Sequence, residues 1–356
     1  MRGTDARRTP FVGHSTGLDL HALRPISRVE SRLHSMAEPK TRLPDSRVTP
    51  RFAGLCSFGR YPLLTDLPDV STLDWAIYGV PYDSGVTYRP GARFGPRSIR
   101  EQSQYLKRYH LEHGVDVCEV LSLADAGDAP APPYHPKQAL DGVIAFADAL
   151  PTNARLLALG GDHSIAYANI MATWRRLGSP DEGLAVLHLD SHLDTVDEVW
   201  GEKYSHASPF VRLVEAGAID PRFMMSIGIK GPLNAAADLD YGHDAGINVV
   251  TYDDWKLKDG DRRIRDFVRR LERRPTYITF DIDCIDPAYA PGTGTPSVGG
   301  FTSAEALILL RSFAGVNVAG ADVVEVLPDR DVAGNTALLA AHVAFEILAL
   351  DAISDR

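Results

Sequence analysis

Asp190, His192 and Asp194 stand at every second position where the apolar run Val186-Leu187-His188-Leu189 ends. Alternate side chains of an extended strand project to one face, so the three ionisable groups share a side of the backbone. Burying three such groups without partners is expensive unless something collects them, and a divalent cation does so. Two other stretches have the same form: Leu157-Ala158-Leu159-Gly160-Gly161-Asp162-His163-Ser164, and Thr279-Phe280-Asp281-Ile282-Asp283-Cys284-Ile285-Asp286-Pro287. In the first, two glycines permit a tight turn that presents Asp162 and His163; in the second, Asp281 and Asp283 again lie two apart.

The cluster these stretches predict is His163, Asp190, His192, Asp194, Asp281 and Asp283. Four carboxylates and two imidazoles exceed the needs of one ion, and the carboxylates would raise one another's pKa values unless cations neutralise them. Two divalent ions bring the site near charge balance. Oxygen-rich ligation without thiolate favours manganese, and the imidazoles keep nickel, cobalt and iron open. A paired metal site activates a water for attack on an electrophilic carbon, so the chemistry is metal-assisted hydrolysis. Any one motif alone reads equally well as an ordinary strand-end turn; the three together do not. His188 shares the ladder's parity but lies deeper in the strand and reads as a satisfied core histidine. His342, on an apolar helix, reads as packing or interface, and Cys284 has no assigned nucleophilic role.

Placing these side chains together requires a particular sheet. Short apolar runs at 74–80, 154–160, 184–190, 222–228, 247–251, 276–282 and 317–326 read as strands. Helical patterns near 96–106, 136–148, 164–177, 260–273, 302–315 and 335–351 alternate with them. That alternation predicts an α/β fold, one mostly parallel sheet with helices on both faces and ligands at the carboxyl ends of the strands. No repeat or linker divides residues 51–356, which read as one domain. Residues 1–50 carry eight arginines and little periodicity. They read as a disordered arm or as the product of a misplaced start upstream of Met36. An organelle-targeting segment fits less well, because Asp5, Asp19, Glu30 and Glu38 are acidic.

The formal net charge of -10 argues against nucleic acid or an anionic membrane as partner. Cys56, Cys118 and Cys284 are odd in number and lack CxxC spacing, which points to a reducing compartment, the cytoplasm. The apolar run 336–350 is too short to span a bilayer and carries His342 and Glu346; it reads as a buried helix.

Taken together, Gly160 to Ser164, Asp190 to Asp194, Ser205-His206-Ala207-Ser208-Pro209-Phe210, Asp281 to Pro287, Pro291-Gly292-Thr293-Gly294-Thr295-Pro296 and Asp322-Val323-Val324-Glu325-Val326 resemble the ureohydrolase family of arginases, agmatinases and related guanidino-compound hydrolases. The resemblance covers roughly residues 50 to 350. Arg89 to Pro96 and Gly334 to Ala341 look like its agmatinase branch. It implies a three-layer α/β/α sandwich and a two-manganese site. One ion would be held by His163, Asp190, Asp194 and Asp281, and the other by Asp190, His192, Asp281 and Asp283. Glu325 would grip the substrate guanidinium, a planar cation with paired donors. Asp194 would relay a proton to the leaving amine and His206 would exchange protons with solvent. The family also implies a homo-oligomer, commonly a trimer or hexamer.

Three positions depart from the family pattern. Ser191 replaces alanine, Ala207 replaces glycine after His206, and Leu327-Pro328-Asp329-Arg330-Asp331 replaces a Ser-Pro-Pro-Tyr-Asp run. Arg330 at the pocket would repel the distal ammonium of agmatine and favour a guanidino acid such as 4-guanidinobutyrate. Asp197, Glu198 and Glu202 would favour a cation, and a pocket narrowed by Ala207 would also suit guanidine or a small alkylguanidine. Agmatine is the leading substrate by resemblance. The non-enzyme alternative is a metal-bearing structural subunit paired with an active homologue. Amide deacetylation on a histone-deacetylase-like fold is disfavoured, because that site lacks two full metal positions.

Overall fold

The computed structural model describes residues 39–354. Among the described residues there are ten strands: β1 (Trp75–Gly79), β2 (Tyr109–His110), β3 (Val115–Asp116), β4 (Leu123–Asp128), β5 (Arg155–Leu159), β6 (Leu184–Leu189), β7 (Ile219–Ile229), β8 (Asn248–Thr251), β9 (Thr276–Asp281) and β10 (Val318–Val324). Eight form one sheet in the order β4-β1-β5-β10-β9-β6-β7-β8, with every pairing parallel. β2 and β3 make a separate antiparallel ribbon.

The sheet is buried on both faces because its strands are apolar at odd and even positions alike. Trp75, Ile77, Leu157, Leu159, Leu187 and Phe280 enter one core, with the helices Gly260–Leu271, Ser303–Arg311 and Asn335–Ala352. Ala76, Tyr78, Leu156, Ala158, Val186 and Tyr277 enter the other, with Pro136–Asp148, Ile165–Arg176 and Pro209–Glu215. This is the expected three-layer α/β/α sandwich. Helix Ser303–Arg311 starts at a capping box: Thr302 Oγ1 accepts the Glu305 amide at 3.1 Å and Glu305 Oε2 accepts the Thr302 amide at 2.9 Å. Helix Asn335–Ala352 is apolar and long enough to cross a membrane by composition alone, but it packs as a core helix.

Residues 1–38 of the expected arm lie outside the described residues. The packed chain begins before residue 50. Thr41 is buried, its amide donates to Cys118 O at 2.9 Å and its hydroxyl to Leu121 O at 2.6 Å.

Candidate metal centre

Four neighbouring strands, β5, β10, β9 and β6, end at one edge of the sheet, and each delivers part of the site. His163 follows β5, Glu325 follows β10, Asp281 closes β9 with Asp283 two residues on, and Asp190 follows β6. The glycine pair after β5 is required by close backbone approach. A Cβ on Gly161 would lie 1.8 Å from Tyr82 O, and one on Gly160 would lie 2.6 Å from Val324 Cγ1. In return the ladder continues past the strands: Gly161 N donates to Val80 O at 3.0 Å and Glu325 N to Gly161 O at 2.9 Å.

All six residues of the expected cluster come together. His163 Nδ1 lies 3.0 Å from Asp190 Oδ2, 2.8 Å from Asp194 Oδ2 and 3.4 Å from Asp281 Oδ2. His192 Nδ1 lies 3.4 Å from Asp190 Oδ1 and 3.1 Å from Asp283 Oδ2. Asp190 therefore offers one oxygen to each imidazole.

The orientation of His163 fits a cation-binding cluster. Its Nε2 lies 2.8 Å from Thr279 Oγ1, whose own hydroxyl donates to Asp322 Oδ1 at 2.5 Å. Thr279 Oγ1 is thus the acceptor and a ring proton sits on Nε2, which leaves Nδ1, among the carboxylate oxygens, as the nitrogen that can offer a lone pair. Nδ1 is buried and makes no hydrogen bond despite those distances. A cation between them satisfies lone pair and carboxylates together, and a bond from the far ring nitrogen is the usual support of a metal-binding histidine.

The electrostatics say the same. Burial, and then the charges of Asp283 and Asp190, push Asp281 well above the usual carboxylate range. Asp190 is also penalised by burial, but His163, His188 and His192 hold its carboxyl well below that range. So many interacting buried acids are the signature of a site built for cations.

Ser191, which stands where the family pattern has alanine, anchors a carboxylate of the cluster. Its hydroxyl donates to Asp283 Oδ1 at 2.6 Å and its amide to the same oxygen at 3.1 Å. His188 is a satisfied buried histidine, 3.0 Å from Ser226 Oγ and 2.9 Å from Asp190 Oδ2. Cys284 is buried and its thiol is pushed well above its ordinary pKa by burial, which keeps it inert. His342 is exposed on its helix.

A cavity of about 510 Å³ opens over the cluster. His192, Asp194 and Asp281 line it with His206, Ala207, Thr87 and Thr295, and Val196, Val199, Trp200, Pro232 and Leu233 supply an apolar wall. Asp194 reaches it from a left-handed backbone, φ 52°, a strained conformation of the kind found at functional sites. His206 Nδ1 donates to Glu325 Oε1 at 2.9 Å, and its Nε2 faces the Thr87 amide at 3.0 Å and hydroxyl at 2.7 Å. Burial disfavours the charged ring, but the Glu325 carboxylate outweighs it and pushes His206 up to about 9. The Thr87 amide opposes that protonation, whereas the Thr87 hydroxyl can turn to accept an Nε2 proton.

Arg330, expected at the pocket, is not brought to it. Its side chain is 52% exposed, lies 3.6 Å from Asp329 Oδ2 and is absent from the cavity wall. It follows the turn Leu327 to Arg330, closed by Arg330 N donating to Leu327 O at 3.1 Å, which carries the chain out to solvent. Asp197, Glu198 and Glu202 do not line the cavity either. Thr279 and Asp322 stand within the motifs but carry no role assigned from them, and Thr87 lies outside every motif. Thr279 has a signal, since it shares strand parity with Asp281; Thr87 has none.

A sequence model of the arginase family matches residues 73–350. The chain belongs to the arginase family. It is 39% identical over 322 residues to the mitochondrial guanidino acid hydrolase of Homo sapiens, covering 90% of this chain and 89% of that protein. It is 38% identical over 306 residues to the mitochondrial agmatinase of Gallus gallus, covering 86% and 88%. The solved structure of proclavaminate amidino hydrolase from Streptomyces clavuligerus superposes with a TM-score of 0.79 at 37% identity, covering 85% of this chain and 99% of that one. As an arginase-family hydrolase of guanidino compounds, it acts on amidine C–N bonds, and its His/Asp cluster fits the family's binuclear metal centre.

Proposed function

We propose that this enzyme hydrolyses a guanidino compound to urea and an amine, with agmatine, which would give putrescine, as the first candidate substrate. The carrying observation is the buried, unbonded Nδ1 of His163 among three carboxylate oxygens. His163, Asp190, Asp194 and Asp281 would hold one divalent ion; Asp190, His192, Asp281 and Asp283 would hold the other. Manganese is the first choice, with nickel or cobalt as alternatives. When bound, the pair supplies Lewis acidity and an activated water.

The chain's own groups do the rest. Glu325 keeps Oε2 buried without a partner, and a guanidinium donor satisfies it with a charge-assisted bond. Asp194, on the cavity wall, carries a proton to the leaving amine, whose departure needs one. His206 exchanges that proton with solvent through Nε2 and Thr87. The apolar wall excludes water from the tail of the substrate.

The second reading is a guanidino acid such as 4-guanidinobutyrate, or guanidine or a small alkylguanidine. It draws on relatives named guanidinopropionase and guanidinobutyrase at 37% and 34% identity. A homo-oligomer, trimer or hexamer, is part of the proposal and is read by light scattering. A cytoplasmic site of action is also part of the proposal, supported by the three free cysteines. The deciding experiment is urea release from a panel of guanidino compounds by manganese- or nickel-loaded protein. No urea from any compound, with metal bound, would sink the proposal.

A further inference from the structure

The proposed reaction explains how the guanidinium end is held and leaves the other end of the substrate unread. Apart from the metal-side groups and His206, the cavity wall is apolar with a few polar positions, and among the described residues Asp238 is its one charged side chain. No lysine or arginine among the described residues lines it. Cations nearby in the chain are engaged: Lys230 Nζ donates to Asp283 O at 2.8 Å and Ser297 O at 2.7 Å, and Lys203 lies 3.8 Å from Asp197. Arg330 lies out in solvent beside Asp329.

A carboxylate-tailed substrate would lose hydration in this cavity, find no cation among the described residues and meet a like charge. That is the arrangement by which a site rejects a competitor. A tail ending in an ammonium would lay its methylenes on Val196, Val199 and Leu233 and find Asp238. That carboxylate is preset: its Oδ2 accepts the amides of Asn234 at 2.8 Å and Ala235 at 3.2 Å, which fixes its position before a ligand arrives.

We infer that Asp238 is the charge-reading residue of a tail subsite, which selects guanidines with an apolar chain ending in a cation against those ending in a carboxylate. The inference rests on the hydrolase reading above and deepens it.

The test measures urea release by the manganese-loaded full chain from three four-carbon substrates, namely agmatine, 4-guanidinobutyrate and butylguanidine. Wild type should show kcat/KM for agmatine at least about tenfold above that for 4-guanidinobutyrate, the scale of one retained ion pair against one like-charge contact. Asp238→Asn keeps an oxygen for the two amides. It should lower kcat/KM for agmatine by about fivefold while butylguanidine, which has no tail charge, stays within about twofold and reports an intact fold. Asp238→Lys should raise 4-guanidinobutyrate relative to agmatine. Wild-type preference for 4-guanidinobutyrate, or an equal fall for all three substrates in Asp238→Asn, overturns the tail subsite while hydrolysis stands. No urea from any of the three overturns both.

Discussion

His206 and Glu325 are joined through one carboxylate oxygen only. Oε1 accepts His206 Nδ1 and the His163 amide, both at 2.9 Å, while Oε2 is buried with no partner. Two bonds on one oxygen fix the carboxylate and aim the other, and the backbone that presents it is left-handed at φ 64°. A carboxylate held this way, beside a cluster that gathers cations, has a free acceptor for one more donor.

Glu325→Gln keeps the shape and removes the charge. Charge-assisted bonds contribute about 1.5–3 kcal/mol each, so kcat/KM should fall by at least about tenfold and up to about a hundredfold. Metal content, measured on the same preparation, should be unchanged. Loss of metal in this variant would show that Glu325 belongs to the ligand set.

Thr279 should matter to the metal without touching it. Its hydroxyl accepts a hydrogen bond from His163 Nε2 and donates one to Asp322 Oδ1. Thr279→Val preserves volume and orphans both groups. Removal of such a support commonly weakens metal affinity by about 10–100-fold, and chelator competition should find a loss in that range. Thr279→Ser restores the bonds and should restore the affinity. Equal affinity in the valine variant would make the bond incidental.

The His/Asp cluster is legible because each member follows an apolar run long enough to be a buried strand, and parallel strands present their carboxyl ends to one edge. The order β5-β10-β9-β6, which makes those ends neighbours, is not written in any run of residues; it comes from long-range pairing. β4 gives little signal because Leu123-Ala124-Asp125-Ala126-Gly127-Asp128 is poor in β-branched and aromatic residues. Its Asp125 is held by Arg100 at 2.8 Å, a tertiary ion pair with no local signal. Short helices such as Pro209–Glu215 and Tyr252–Leu257 span too few turns for periodicity to register. Arg330 departs from its expected place for a related reason: residue type after a strand end says nothing about which way a turn carries its side chain.

Arg330→Tyr restores the residue of the family run and tests that placement. Since Arg330 lies in solvent outside the cavity, the ratio of kcat/KM values for agmatine and 4-guanidinobutyrate should stay within about twofold of wild type, the range of ordinary surface changes. A shift toward agmatine beyond that would mean that the side chain turns inward when substrate binds.

Glu346, on the last helix and outside the cavity wall, should make the fold acid-sensitive. It is buried on helix Asn335–Ala352 and accepts from His110 Nε2 at 2.8 Å and from Arg311 Nε and Nη2 at 3.0 and 2.6 Å. His110 Nδ1 accepts the His113 amide at 3.1 Å, which leaves the ring hydrogen on Nε2 to donate. Burial raises the carboxyl's pKa, but the bonds from His110 and Arg311 outweigh it and hold Glu346 below its ordinary 4.5. A depressed folded-state pKa contributes stability that is present above the unfolded value and lost as pH falls through the folded one. Glu346→Gln forfeits that contribution and leaves Arg311 unpaired, at a cost of about 3 kcal/mol at neutral pH, the lower end for breaking a buried pair because Arg311 is partly exposed. Urea midpoints of the two proteins should therefore differ most near neutral pH and converge below pH 4.5, where the wild-type carboxyl takes up its proton. Protonation of the metal-cluster acids occurs in both and cancels in the difference. A gap that stays constant into the acid range would mean that Glu346 is not ionised in the folded protein.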